Sequence, residues 1–253
     1  MNKKKNNSKI LIDGDIICYQ IATKIEEPIH WGNDMWTLHS DFGSAKFIFN
    51  NYIKDLREQL GIHEVLIFLT SGSNYRDLIY PGYKGNRKGK RKPTCLHVMR
   101  RWLEEEWDAI TEPRLEADDL LGIYATNPKY KGSIIVSLDK DLRTIPGKLS
   151  VDGIKVERIT KQKSIYNHAT QILCGDSTDN YPGCPGVGPK TAAKLLAEVK
   201  PTRTMKGYWE VIKAAYKKAG QLEHDAIIQA RVSYILQWRD YDFKTKKVAI
   251  WKP

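Results

Sequence analysis

An α/β fold with a mostly parallel central sheet is predicted by three observations. Residues 9–13, 64–70 and 133–138 are short apolar runs, too brief for helices and apolar nearly throughout, as strands buried on both faces are. Segments of helical period lie between them, and this alternation is the signature of a parallel sheet. Finally, 253 residues with 41% hydrophobic and 28% charged side chains suffice for one large domain or two small ones and exclude disorder.

The elements follow in order. Residues 1–9 are basic and polar, and the apolar run after them is broken by Asp13 and Asp15, which excludes a signal-peptide core. The first strand ends in Asp13. Within residues 41–60, Phe42, Ala45, Phe49, Tyr52, Leu56 and Leu60 recur at steps of three and four, giving a helix with one buried stripe. The second strand contains the longest apolar run, residues 65–69, far short of a membrane span. A helix over residues 116–127 turns Leu120, Leu121, Ile123 and Tyr124 inward, and the third strand runs into Asp139-Lys-Asp141. After about residue 160 helical patterns remain at 161–173, 189–199, 207–219 and 224–238, then a closing strand at 247–251.

Charge narrows the function. Lys plus Arg number 41 against 30 Asp plus Glu, a formal charge of +11, which points to a polyanionic partner, nucleic acid being the commonest. Four cysteines without CxxC spacing read as reduced thiols of a cytoplasmic protein, and six histidines show no ligand spacing. The charge is also segregated. Lys84, Arg87, Lys88, Lys90, Arg91, Lys92, Arg100 and Arg101 follow one another without an acid, and then residues 104–119 carry eight acids against Arg114 alone. Either block by itself is a solvated surface. Abutted, with glycines and Pro93 in the basic half, they read as a mobile cationic segment beside an acidic site.

The acids fall where a parallel sheet gathers its sites, at the carboxyl ends of strands. Asp13 and Asp15 follow the first strand, and Asp139 and Asp141 the third. Glu116-Ala-Asp118-Asp119 opens a helix, where capping and the helix dipole account for acids equally well. The combination is harder to explain that way. Two carboxylates about 4 Å apart repel by roughly 4 kcal/mol at an effective dielectric near 20, so six in one pocket require cations or protons. Oxygen ligands in such number favour Mg²⁺ or Mn²⁺ over zinc, and paired ions beside a basic arm are equipment for phosphodiester hydrolysis.

Residues 175–196 carry the densest signal. Gly183 and Gly188 have P-loop spacing, but Pro189 stands where the P-loop lysine belongs, so an NTP site is disfavoured. A helix–hairpin–helix fits better: the first helix ends near Cys174, glycines make the turn, and Pro189 starts the second helix. Backbone amides of residues 186–190, with Lys190, would then face a phosphate without reading sequence. Asp176 and Asp179 add two carboxylates near the same edge, or simply form the turn.

Taken in order, Ile12-Asp13-Gly14-Asp15, Asn74-Tyr-Arg76, Tyr83-Lys84-Gly-Asn-Arg87-Lys88, Leu115-Glu116-Ala-Asp118-Asp119, Ser137-Leu-Asp139-Lys-Asp141 and residues 175–196 resemble the 5′-nuclease (flap endonuclease-like) superfamily, most closely the short phage 5′→3′ exonucleases. The resemblance spans residues 10 to about 196. It implies a PIN-like nuclease core over 1–160 with a helical arch at about 84–108, a helix–three-turn–helix over 161–200 that grips duplex, and C-terminal helices and a strand over 201–253 packed on the core. It implies one metal group of Asp13, Glu116, Asp118 and Asp119 and another of Asp139, Asp141, Asp176 and Asp179. Lys84 and Arg87 would meet the scissile phosphate, Tyr83 would stack on a base, and Lys88, Gly186, Gly188, Lys190 and Thr191 would bind DNA. It also implies two or more Mg²⁺ or Mn²⁺ ions, a potassium ion on carbonyls of residues 183–188, and a monomer in the host cytoplasm.

One departure stands out. Family members carry an Asp about three residues before the Asn-aromatic-Arg segment, and Ser71 occupies that place. Asp15 would compensate if the first strand continued. The expectation is a Mg²⁺-dependent 5′→3′ exonuclease with flap endonuclease character, acting near 5′ ends of double-stranded DNA and on RNA primers in RNA–DNA hybrids, with Asp13, Asp139, Lys84 and Arg87 carrying catalysis. The alternatives are a structure-specific DNA-binding protein whose first metal site has lapsed, with Ser71 as its motive, and a single-strand ribonuclease, for which the helix–hairpin–helix has no use. The stripe Leu96, Met99, Leu103 and Trp107 in the arch reads as core packing.

Overall fold

The computed structural model describes residues 7–199 and 204–253. Its centre is a five-stranded sheet in the order β4-β1-β5-β6-β7, formed by β1 (Ile10–Asp13), β4 (Val65–Phe68), β5 (Ile134–Val136), β6 (Gly147–Ser150) and β7 (Val156–Ile159). β1 runs parallel to β4 and β5, and β5 parallel to β6, while β7 is antiparallel. Every residue of β1 and β5 is buried. The lack of alternation in the sequence follows from that two-sided burial.

Helices cover both faces. α1 (Gly14–Lys24), α2 (Phe42–Leu60) and α3 (Leu96–Glu106) enclose one apolar cluster with Ile10, Ile12 and Val136. α4 (Ala117–Thr126) packs Leu120, Leu121 and Ile123 on the opposite face against Leu11 and Ile135. The arch stripe is core as expected, since Leu96, Met99 and Leu103 are buried in the first cluster and Trp107 packs on it. α5 (Lys161–Cys174), α6 (Pro189–Ala197), α7 (Met205–Lys218) and α8 (Glu223–Ser233) surround a third cluster. The boundary drawn between residues 200 and 201 lies outside the described residues, and helices on both sides of it share that third cluster.

Several expectations need correction. β6 and β7 carry exposed polar side chains such as Lys148 and Arg158, which hid them. A hairpin of β2 (Glu26–His30) and β3 (Trp36–Ser40) was also missed. The last helix stops at Ser233, five residues short of the expected 238, because the chain beyond it is extended. The closing strand shrinks to β9 (Lys247–Val248), which pairs with β8 (Tyr241–Asp242) in a separate two-stranded sheet. Most important for the site, the first strand does not continue past Asp13. α1 starts at once, on Gly14, where a Cβ would come within 2.8 Å of Ile67, Leu69 and the Phe68 carbonyl.

Among the described residues no helix is long and apolar enough to cross a membrane. One buried titratable group lies away from the sheet. His168 on α5 is 3% exposed, with Nε2 3.0 Å from the Ala230 carbonyl oxygen of α8. Burial pushes its pKa down to about 4, outweighing that hydrogen bond. The folded imidazole therefore stays neutral while the unfolded one takes up a proton, so stability is full above about pH 6.5 and is lost as pH falls towards about 4. Urea titrations at pH 7 and pH 5 should show this histidine destabilising the acid form by about 2 kcal/mol. His168→Gln should remove that part of the pH dependence, and an unchanged difference would refute the assignment.

Candidate active site

β1 delivers Asp13 to the carboxyl edge of the sheet, opposite Phe68 of β4. One carboxylate oxygen of Asp13 caps α1 by accepting from Ile16 N–H at 3.1 Å, and the other accepts from Ser137 Oγ at 3.1 Å. The same Ser137 oxygen accepts from Asp139 N–H at 3.1 Å, which ties the ends of β1 and β5 together. Burial raises the Asp13 carboxyl to about 6, and the charge of Asp139 adds to it. Asp118, in the first turn of α4, is raised well above the carboxylate range by burial and then by Asp13 and Asp139. Its Oδ1 is buried and has no hydrogen-bond partner among the described residues.

Glu116 caps the same helix and is held differently. Its Oε2 accepts from Arg76 Nη1 at 3.1 Å and lies 2.9 Å from the Tyr83 hydroxyl, while Lys84 Nζ donates to Oε1. Burial opposes ionisation, but Lys84 and Arg76 outweigh it and hold the Glu116 carboxyl at about 2.

The second acidic group forms around the turn after α5. Asp176 Oδ1 accepts from Thr178 N–H at 2.6 Å, and its Oδ2 accepts from Lys140 Nζ at 2.6 Å. Lys140 also stands 3.3 Å from Asp141, whose carboxyl burial and Asp139 raise to about 6. Asp179 Oδ1 accepts from Arg87 Nη2 at 2.5 Å, and Lys84 Nζ lies 3.6 Å from its Oδ2. The basic loop docks on this turn through its backbone: Lys84 N–H donates to the Asp179 carbonyl at 2.8 Å, and Asn180 Nδ2 donates to the Gly82 carbonyl at 2.7 Å. The two acidic groups, 60 residues apart between Glu116 and Asp176, thus meet beneath one pair of cations.

Among the described residues no three His, Cys, Asp or Glu side chains stand close enough as they are to hold a metal ion. Like charges account for the spacing, with Lys84 and Lys140 lodged between the carboxylates. The donor set nevertheless fits a hard cation. It is all oxygen, Asp118 Oδ1 is orphaned, and Asp13, Asp118 and Asp141 are pushed towards the protonated form by burial first and then by each other or by Asp139.

The helix–hairpin–helix is present as α5, a glycine turn and α6. Gly175 and Gly183 both have positive φ, and a Cβ on either would strike the other's backbone at 2.2–2.5 Å. That contact closes the turn. Gly186, Gly188, Lys190 and Thr191 are all exposed at the N-terminus of α6, whose first-turn amides have no intrahelical acceptor.

Residues 8–171 match the family described as 5′-3′ exonuclease, N-terminal resolvase-like domain, and residues 166–247 match 5′-3′ exonuclease, C-terminal SAM fold. The chain belongs to the 5′–3′ exonuclease family. It is 30% identical over 280 residues to an exodeoxyribonuclease of Enterobacteria phage T3, covering 96% of this chain and 92% of that protein. It is 30% identical over 279 residues to the exonuclease of Escherichia phage T7, covering 96% and 93%. The fold is that of a flap endonuclease of bacteriophage T5 solved with DNA and metal ions, at a TM-score of 0.57 and 14% identity over 88% of this chain and 89% of that one.

The geometry bears on three of the expected roles and on the place of Ser71. Asp119 is fully buried, its two oxygens accept from Arg76 at 2.7 and 2.8 Å and from the Glu116 and Leu236 amides, and no lone pair is turned to the cluster. In this arrangement it braces Arg76 and the start of α4. Tyr83 is 6% exposed and packs with Tyr181 and Val232, its hydroxyl shared between Glu116 and Asp179, so its ring is not offered to a base. Asp15, in the first turn of α1, pairs with Arg100 and accepts from Thr70 N–H at 2.8 Å, so it does not replace the missing Asp. Ser71 donates its hydroxyl to the Ser73 carbonyl at 2.7 Å within its own loop.

Sequence reasoning gave Arg76, Ser137 and Lys140 no role. Arg76 is 2% exposed and its guanidinium reaches Glu116, Asp119 and the carbonyls of Val232 and Tyr234. The signal available was the segment Asn74-Tyr-Arg76 itself, and for Lys140 its place between two aspartates.

Proposed function

We propose that the exonuclease hydrolyses phosphodiesters near 5′ ends of double-stranded DNA and at 5′ flaps, using divalent cations held by Asp13, Glu116, Asp118, Asp139, Asp141, Asp176 and Asp179. The observation that carries this is the docking of Lys84 and Arg87 on carboxylates whose neighbours include an orphaned, buried oxygen. Cations, when bound there, supply charge that makes water nucleophilic and stabilises the pentavalent phosphorus. The chain's own groups do the rest. Lys84, with its side chain 23% exposed, sits at the boundary between carboxylates and solvent, where its ammonium can meet a phosphate oxygen. Arg87 and Lys88 extend that cationic edge outward. Ser137 joins the Asp13 carboxylate to the Asp139 backbone, so the spacing of the two strand ends is set before substrate arrives. Water's oxygen bonds to phosphorus as the bond to the 3′-oxygen breaks, leaving a 5′-phosphate and a 3′-hydroxyl.

The preferred ion is magnesium, for which all-oxygen donors are suited. The reading extends to RNA–DNA hybrids and to potassium on the carbonyls of residues 183–188, both from the family resemblance. The alternative of a non-catalytic binding protein rests on Ser71 alone and is not favoured, since full-length relatives at 30% identity are exonucleases. The test is release of nucleotides from a 5′-labelled duplex and from a flap, first with Mg²⁺ and then with EDTA. Cleavage that survives EDTA, or flap binding with no cleavage at all in Mg²⁺, would sink the proposal.

Grip on the duplex has its own prediction. Lys190→Ala should weaken binding by a similar factor for every duplex sequence and lower the salt slope of log K by about one unit. A slope equal to that of the wild type would remove Lys190 from the phosphate contacts.

A further inference from the structure

The β2–β3 hairpin forms a sheet of its own and leaves large apolar side chains in solvent, with Trp36 59% and Trp31 63% exposed. Exposed rings gathered in one place mark an interaction surface. Register sorts them. His30 lies opposite Trp36, Pro28 opposite Leu38 and Glu26 opposite Ser40, so these six side chains share one face. The rings of His30 and Trp36 stack on it at 4.3 Å and 19°. Trp31 and Glu27 belong to the other face, where Trp31 Nε1–H donates to Thr37 Oγ1 at 2.8 Å.

The root of the Trp36 face is joined to the basic segment. Glu26 accepts from both terminal nitrogens of Arg91, at 2.6 and 2.9 Å, and from Thr94 N–H at 2.7 Å. Ser40 Oγ lies 2.7 Å from Thr94 Oγ1. Arg91 thereby neutralises the one acid on this face. Lys88, Lys90 and Lys92, on either side of it, are exposed and make no ion pair among the described residues. A row of cations without ion pairs among the described residues therefore starts at the root of a face whose far end carries the stacked rings. Duplex hides the faces of its bases, whereas a single strand presents phosphates to lysines and bases to rings together.

We infer that this face of the hairpin is a stacking platform for the single-stranded 5′ segment of a DNA substrate, continuous with the basic segment at its root. The inference rests on the nuclease reading above. Binding is measured by fluorescence anisotropy in EDTA, with a blunt duplex and the same duplex bearing a 5′ overhang of about ten nucleotides. Trp36→Ala should raise Kd for the overhang substrate about tenfold, the loss of one base–ring stack, and leave the blunt duplex within about twofold. Trp36→Phe keeps a ring and should retain most of the affinity, which separates stacking from damage to the hairpin. Trp31→Ala, on the other face, should change neither substrate. An unchanged overhang Kd in Trp36→Ala, an equal loss on both substrates, or a wild-type dimer that Trp36→Ala dissolves would each overturn the platform. Cleavage of the blunt duplex in Mg²⁺ distinguishes the two failures: if wild type cuts it and the overhang result is negative, only the platform falls.

Discussion

Asp118→Asn should abolish cleavage and, in EDTA, make the protein more stable. The first effect is the loss of a carboxylate from the centre of the cluster. A reduction of at least a thousandfold, about 4 kcal/mol of barrier, is expected if the residue holds a cation. The second follows from burial. A carboxylate raised by burial and by Asp13 and Asp139, with one oxygen unpartnered, opposes folding above the ordinary aspartate pKa. An amide of the same shape relieves that by roughly 1–2 kcal/mol, or several degrees in Tm. Adding Mg²⁺ should reverse the order, because wild type gains stability from the ion and the variant does not. Melting curves for both proteins in EDTA and Mg²⁺ would show a crossing. Parallel shifts would mean that Asp118 is not a ligand, whatever happens to activity.

Arg76→Ala should lower stability by about 3–5 kcal/mol and Tm by about 10 °C or more, the largest thermal effect expected of a single change here. Its guanidinium is enclosed by two carboxylates and two carbonyls, and its removal leaves Asp119 charged at zero exposure. Arg76→Lys should recover only part, since one ammonium cannot span both Asp119 oxygens and the carbonyls of Val232 and Tyr234. Folded Arg76→Lys protein should also cut more slowly, because Glu116 loses a fixed donor. A Lys variant that melts and cuts like wild type would show the bidentate geometry to be dispensable.

How much of this was legible in the sequence depended on what each feature leaves behind. Strands buried on both faces announced themselves as unbroken apolar runs, and they correctly set Asp13 and Asp139 on one edge of the sheet. β6 and β7 did not, because each exposes polar side chains such as Lys148 and Arg158 to solvent, which erases the run. The hairpin was invisible for the opposite reason: its aromatics face water, so no periodicity of burial exists to be read. Motif spacing identified which acids belong near the site but not what each does there. Asp118 and Asp119 are neighbours in sequence, yet a helix turns one into the cluster and the other under Arg76. That distinction depends on a cation 43 residues away, which no local pattern encodes.

The reach of Arg76 also makes the brace beneath the acids late to assemble. Its side chain grips the Val232 carbonyl, 156 residues further along the chain. At a synthesis rate of roughly 5–20 residues per second, about 8–30 s separate the appearance of these two residues on the ribosome. From the appearance of Asp119 until that of Val232, Arg76 can reach both acids but lacks the carbonyl acceptor that α8 supplies. The brace beneath Glu116 and Asp119 is therefore complete only once α8 has been made.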